Sequence, residues 1–218
     1  MDDKKFCFIV CVSDERAYTE CSFYISHLRI PNGYTAELLP VRDARSMASA
    51  YNKAMNATNA LYKIYIHQDC FILNPNMLND ALRIFASDPN IAMIGVMGTP
   101  RISPDGVPEN SVQIGNVYNA QQGHEQYSKY EYDLNEGLYD CDYINGMLMI
   151  TARDLPWRED LFDGWDFYDA SQSMEFRRKG YRVVVPEQRL PWCAHEENLL
   201  NRWAYNKYRK IYVQEYLP

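Results

Sequence analysis

The run Ile66-His67-Gln68-Asp69 brings metal-ligand chemistry to the end of a β-rich apolar stretch that begins at Tyr62. Asp69 offers hard carboxylate oxygens suited to Mg²⁺ or Mn²⁺, and His67, two residues earlier, points to the same face of a strand. In an open α/β sheet, ligands bind beyond the carboxyl ends of the strands, which puts Asp69 at the rim of a cleft. Asp69 alone could also be a solvated strand end whose carboxylate ties down its own loop. Ser13, Asp14 and Glu15 follow the first apolar run, and Arg42-Asp43 follow the second. At such strand ends an acidic group can accept a hydrogen bond from a base or ribose, and the plainer reading is ordinary loop polarity.

These groups need a frame. Phe6–Val12 is continuously apolar, as a central parallel strand buried on both faces must be. A helix follows, with Tyr18, Cys21, Ile25 and Leu28 on one face and the turn Pro31-Asn32-Gly33 closing it. Ala36–Val41 reads as a strand that Pro40 places near an edge. Ser46–Thr58 has helical spacing, and Asn74-Pro75 reads as cap and first turn of another helix before a strand over Ile91–Met97. This alternation predicts an α/β fold, a mostly parallel central sheet with helices on both faces. Thr99–Tyr139 is polar and weakly periodic, the mark of a long binding loop or lid. Beyond it the pattern predicts a strand over Tyr143–Thr151, a helix over Asp169–Lys179, a strand over Arg182–Val185 and a C-terminal helix over about 199–216. The tyrosines at 205, 208, 212 and 216 read as a packing stripe on that last helix.

Composition removes some function classes. With 218 residues the expectation is a single domain spanning 1–218. A net charge of −7 argues against a nucleic-acid surface, and it means that a phosphate-bearing ligand needs local help from a cation or a helix N-terminus. The six cysteines show no zinc spacing and read as reduced thiols of a cytoplasmic protein. No targeting segment or membrane span is visible, Phe6–Val12 being too short for either.

Taken in order, these pieces resemble a family-two-like glycosyltransferase of the GT-A fold, a Rossmann-like nucleotide-diphospho-sugar transferase. Ser49-Ala50-Tyr51-Asn52-Lys53-Ala54 looks like the family helix that precedes the metal strand, with Asn52 at its usual asparagine. Ile66-His67-Gln68-Asp69 falls where those enzymes place their DxD motif. The block Phe162–Asp169, followed by Lys179-Gly180-Tyr181-Arg182-Val183, is similar to the family's acidic block and its close. Ala194-His195 matches a late histidine that many members use as a further metal ligand. His67 stands at the first aspartate of the metal motif, the acidic pair reads Tyr168-Asp169, and Asn145 stands where many relatives carry an aspartate that touches the acceptor.

The resemblance implies sugar transfer from a nucleotide-diphospho-sugar, UDP-linked, to a saccharide, lipid-linked or protein hydroxyl, with inversion. Asp69, His195 and His67 are then the expected ligands of Mn²⁺ or Mg²⁺. Asp169 is the expected base, with Asp166 and Asp163 behind it, although Asp169-Ala170-Ser171-Gln172 also resembles a capping box. Ser13, Asp14, Glu15, Asp43 and Asn52 are the expected nucleotide contacts, and Asn145, Gly146 and Trp165 the expected acceptor contacts. Without the family likeness His195 reads as a structural histidine. One alternative is a non-catalytic nucleotide-sugar or glycan-binding relative, which the altered His67-Gln68-Asp69 motif favours. A nucleotidyltransferase would need a glycine-rich phosphate loop, and Ser13-Asp14-Glu15-Arg16 is none.

Overall fold

A computed structural model of the chain describes residues 1–121, 124–130, 137–196 and 202–217. Its elements run β1 (Asp2–Val12), α1 (Glu15–Ser26), β2 (Thr35–Arg42), α2 (Met47–Ala57), β3 (Ala60–His67), β4 (Cys70–Ile72), α3 (Met77–Ser87), β5 (Ile91–Gly95) and β6 (Met97–Thr99). After a 3₁₀ turn at Pro108–Asn110 come β7 (Ile114–Gln121), β8 (His124–Tyr130), β9 (Leu138–Asp140), β10 (Tyr143–Ile144), β11 (Leu148–Thr151), α4 (Tyr168–Arg178), β12 (Arg182–Pro186), β13 (Cys193–Glu196) and α5 (Arg202–Tyr216).

The strands form two sheets. The first has the order β2-β1-β3-β11-β5-β12-β9, and the second β10-β6-β7-β13-β4 with β8 paired to β7. In the first sheet β1 runs parallel to β2 and β3, and β12 parallel to β5. Antiparallel β11 is wedged between β3 and β5. The apolar run in β1 follows from cover on both sides. Phe6, Phe8 and Val10 pack with Cys21 and Ile25 of α1 and Leu78 and Phe85 of α3, while Cys7 and Ile9 pack with Tyr51 and Ala54 of α2. All six cysteines are free thiols, five of them buried in this packing. Pro40 lies in β2, the edge strand, where its missing N–H removes no ladder bond on the solvent side. Among the described residues no helix is long and apolar enough to cross a membrane.

Four expectations need correction. Ile91–Met97 is not one strand: β5 ends at Gly95 and β6 belongs to the other sheet. Tyr143–Thr151 divides in the same way into β10 and β11, because Asn145-Gly146 forms a turn in which the Asn145 side chain accepts the Met147 N–H at 3.0 Å. Asn74 does not cap α3; it makes a turn onto the N–H of Asn76 at 2.9 Å, and the helix begins at Met77. The polar stretch 99–139 contributes an antiparallel pair, β7 with β8, so its apparent lack of period conceals two strands of the second sheet. The last helix is described over Arg202–Tyr216, and 199–201 lie outside the described residues. Its tyrosines do pack as a stripe: Tyr208, Tyr212 and Tyr216 are buried against Phe162, Phe167 and Ala170.

Candidate active site

The chain crosses from the first sheet to the second between β3 and β4, and Asp69 sits in that crossing. His67 ends β3. His195 lies in β13, in register with Cys70 of β4, and the N–H of Glu196 donates to the Asp69 carbonyl at 3.0 Å. Pairing across the seam therefore brings the distant His195 up to His67 and Asp69, three side chains able to ligate. His67 Nδ1 is 3.4 Å from His195 Nε2 and 3.9 Å from Asp69 Oδ1, and His195 Nε2 is 3.6 Å from the same oxygen. Three ligand atoms within 4.8 Å of one another fit a single cation. Burial, and next the neighbouring His195, pull the His67 imidazole down to about 4, against the opposing pull of Asp69, so it is neutral and able to ligate near pH 7. Two imidazoles and one carboxylate suit Mn²⁺ better than Mg²⁺, which prefers an all-oxygen shell.

A cavity of about 530 Å³ opens against this cluster, lined by Cys11, Val12, Ser13, Asp43, Ala44, Met47, His67, Gln68, Asp69 and Trp165. It lies at the carboxyl ends of β1, β2 and β3, where an α/β sheet places its ligand. Asp43 holds a left-handed backbone, φ 55°, which is uncommon for a residue with a side chain. Gln68, unremarked in the sequence, fastens the loop after β1. Its Oε1 accepts the N–H groups of Ser13 and Asp14 at 2.8 and 2.9 Å, and its Nε2 donates to Ser13 Oγ at 2.9 Å. A larger cavity of about 810 Å³, past the far ends of β4 and β13 around Leu73 and Trp192, gathers no metal-ligating cluster among the described residues.

Behind His67 begins α4. Its N-cap position is Phe167, in the left-handed region at φ 61°, and no side chain caps the helix. Asp169 therefore lies within the first turn and is not the cap that its sequence suggested; Gln172, the other half of that motif, donates to the Leu155 carbonyl at 2.8 Å. The Asp169 carboxylate accepts the N–H of Gly146 at 2.7 Å and of Ala170 at 2.8 Å, with the Tyr143 hydroxyl at 3.4 Å. Burial nonetheless outweighs these donors and pushes its pKa up to about 6. Next to it, Tyr168 places its hydroxyl 2.5 Å from His67 Nε2. Gly146 is required at this junction, since an added Cβ would run into the Tyr168 hydroxyl and come within 3.0 Å of Asp169 Oδ2.

The sequence profile of the glycosyltransferase-like family matches residues 7–216. The chain belongs to that family. Among solved structures it is similar to the mannosyltransferase PcManGT from Pyrobaculum calidifontis, in complex with GDP-Man and Mn²⁺, with a TM-score of 0.56 and 13% identity over 91% of this chain and 58% of that one. It is also similar to S. aureus TarS 1-349 in complex with UDP-GlcNAc, with a TM-score of 0.55 and 11% identity over 90% of this chain and 60% of that one. At such identities the likeness establishes the GT-A fold. The chain spans 58% and 60% of the length of these two neighbours. No curated protein matches the sequence.

Within this glycosyltransferase-like chain the expected site residues divide into two groups. His67, Asp69, Ser13, Asp43 and Trp165 share the cavity, and His195 closes the metal cluster. Trp165 is half exposed, its ring available at the mouth. The others are placed apart. Asp14 caps α1 through the N–H groups of Arg16 and Ala17, and Glu15 pairs with Arg42 at 2.6 Å, so neither lines the cavity. Asn52 holds the backbone of Trp157 from both sides, at 2.9 Å each, and faces a neighbouring hollow beside Asp43. Asn145 and Gly146 form the turn behind the cavity. Of the alternative bases, Asp163 is bound by Tyr208 and Lys207, which hold its carboxyl below the usual range, whereas burial raises that of half-buried Asp166.

Proposed function

We propose that this chain transfers a sugar from a nucleotide-diphospho-sugar to a hydroxyl acceptor, with inversion, using a divalent metal held by His67, Asp69 and His195. The observation that carries this reading is the convergence of those three side chains beside the cavity at the strand ends, His67 and Asp69 on its wall and His195 against them. A cation bound there, Mn²⁺ before Mg²⁺, would act as a Lewis acid toward the charge that the leaving diphosphate gains. Ser13 and Asp43, on the other walls, are suited to the ribose and base, and Trp165 at the mouth to the face of a sugar. UDP is the first nucleotide to test, and GDP the second, because the solved neighbours hold UDP-GlcNAc and GDP-Man.

Asp169 is proposed as the base that takes the acceptor's proton. A carboxylate with a pKa of about 6 is mostly ionised at neutral pH yet more basic than an exposed one. One observation favours the non-catalytic alternative: Asp169 is 9% exposed and does not line the donor cavity. Two measurements decide. Titration of UDP- and GDP-sugars with Mn²⁺ should show metal-dependent binding, and absence of binding to any of them would sink the donor assignment. A transfer assay over saccharide, lipid-linked and protein acceptors should show turnover; tight donor binding with no transfer to any acceptor would leave the binding relative as the better reading.

A further inference from the structure

We infer that Tyr168 is a positioning residue for the metal, its phenol oxygen accepting the Nε2–H of His67 and so fixing the imidazole tautomer that turns the Nδ1 lone pair to the ion. This rests on the metal reading above. Neutral imidazole carries one proton, so one ring nitrogen donates while the other accepts or ligates. In His67 the nitrogen facing His195 and Asp69 is Nδ1, at 3.4 and 3.9 Å, and Nε2 lies 2.5 Å from the Tyr168 hydroxyl. With the proton on Nδ1, an N–H would point into the ligand cluster and exclude a cation. With it on Nε2, the proton meets an oxygen acceptor and the cluster receives a lone pair. Metal-bound histidines generally need such a partner for the second nitrogen, a carboxylate or carbonyl in most sites and a phenol here.

The surroundings make the phenol a rigid partner. Tyr168 is 4% exposed, lies in the first turn of α4, and packs edge-on against Tyr51 with ring centroids 5.8 Å apart. Gly146 provides the space for that oxygen, and the same glycine's N–H is fixed by Asp169. Successive residues of one helical turn thus serve the two halves of the site, Tyr168 the ligand His67 and Asp169 the turn at Gly146.

The test is titration of Mn²⁺ alone into wild type, Tyr168→Phe, His67→Ala and the double variant, followed by calorimetry. Phenylalanine keeps the ring and removes only the acceptor, so Mn²⁺ affinity should fall by about 10–100-fold, the usual effect of deleting a ligand's supporting partner. In the His67→Ala background the same change should have no further effect, which a general loosening of the fold would not reproduce. Unchanged Mn²⁺ affinity in Tyr168→Phe overturns this role while leaving the metal site standing. Failure of wild type to bind Mn²⁺ overturns the metal reading and this one with it. A measurement needing no variant is the ¹⁵N spectrum of His67 in the metal-free protein. A proton on Nε2 is expected, and a proton on Nδ1 overturns the assignment even if Tyr168→Phe does not fold.

Discussion

The two sheets differ in how they are built. In the first, β1, β2 and β3 come from neighbouring stretches of chain joined by α1 and α2, and β1 and β3 carry long, mostly buried apolar runs. In the second, β4, β6, β7, β10 and β13 come from segments spread from Cys70 to Glu196, and several are only two to four residues long. The candidate chemistry lies where they meet. The described chain changes sheet repeatedly, among other places between β3 and β4 and between β10 and β11. The β3–β4 crossing carries Asp69 and the β10–β11 crossing carries Gly146. A crossing needs an interrupted ladder, and an interrupted ladder leaves side chains and N–H groups that can serve a ligand. This is why the candidate groups sit at the seam and not in the middle of the first sheet.

The most damaging way to break that seam is to remove its central ligand. Asp69→Ala should abolish metal-dependent nucleotide binding with little change in melting temperature, because the residue lies in a crossing turn and its ladder contact to Glu196 uses the backbone. Calorimetry of UDP with Mn²⁺ measures this, and retention of wild-type affinity would remove Asp69 from the metal site.

Next in size is the proposed base. Asp169→Asn keeps an acceptor for the Gly146 N–H and removes the proton acceptor, so transfer should fall by roughly 10²–10⁴-fold while donor affinity persists. If Asp166→Asn produces that loss and Asp169→Asn does not, the role moves to Asp166. The pH dependence has a definite sign. The folded chain holds the Asp169 proton up to about 6, above the range of an unfolded aspartate. Its contribution to stability is therefore fully present below about pH 4 and is lost as pH rises through about 6. Wild-type activity should rise over the same interval. Denaturant titrations across pH 4–7 should show a shallower decline for Asp169→Asn; equal slopes would mean that burial does not shift this group.

The same contrast explains what the sequence reveals. The first sheet, except for its three-residue edge strand β9 at the end of the polar stretch 99–139, was legible because its longer strands are mostly apolar and punctuated by Pro, Gly and polar residues, and the strand end at His67-Gln68-Asp69 could be placed from its neighbours. The second sheet was not. A two-residue strand such as Tyr143–Ile144 has no period to detect, and the division at Asn145-Gly146 depends on partners far along the chain. For the site, His67 and Asp69 could be read as a pair from spacing. His195 needed the family likeness, because only the β4–β13 pairing brings it near. Tyr168 looked like a lost carboxylate and Asp169 like a cap, since nothing local announces that both turn inward around a glycine 22 and 23 residues earlier in the chain. The loop contacts of Gln68 left no signal, for a glutamine beside a strand end is ordinary.

A milder way to disturb the seam is to fill the space at Gly146. Gly146→Ala drives a methyl group into the Tyr168 hydroxyl and crowds Asp169. Overpacking of this kind costs about 1–3 kcal/mol, and in a domain of this size each kcal/mol lowers the melting temperature by about 2–4 °C. Mn²⁺ affinity should fall as well, since the displaced hydroxyl is the partner of His67. A scan showing wild-type melting and wild-type Mn²⁺ binding in Gly146→Ala would mean that the junction is looser than its contacts imply.

The smallest effect should come from the first sheet's side of the cavity. The Gln68 amide holds the Ser13-Asp14 loop through three contacts of 2.8–2.9 Å. Those groups are exposed, so water can replace the lost partners, and the net worth of the contacts is at the low end of about 0.5–1.5 kcal/mol for a neutral hydrogen bond. Gln68→Ala should therefore weaken donor binding by about 2–10-fold through a looser loop. Affinity for Mn²⁺ alone should be unchanged, because His67, Asp69 and His195 keep their positions. Parallel titrations of Mn²⁺ and of UDP with saturating Mn²⁺ separate the two contributions. A matching loss in both would show that the loop and the metal cluster move as one unit, and that the seam reaches further into the first sheet than its ladder suggests.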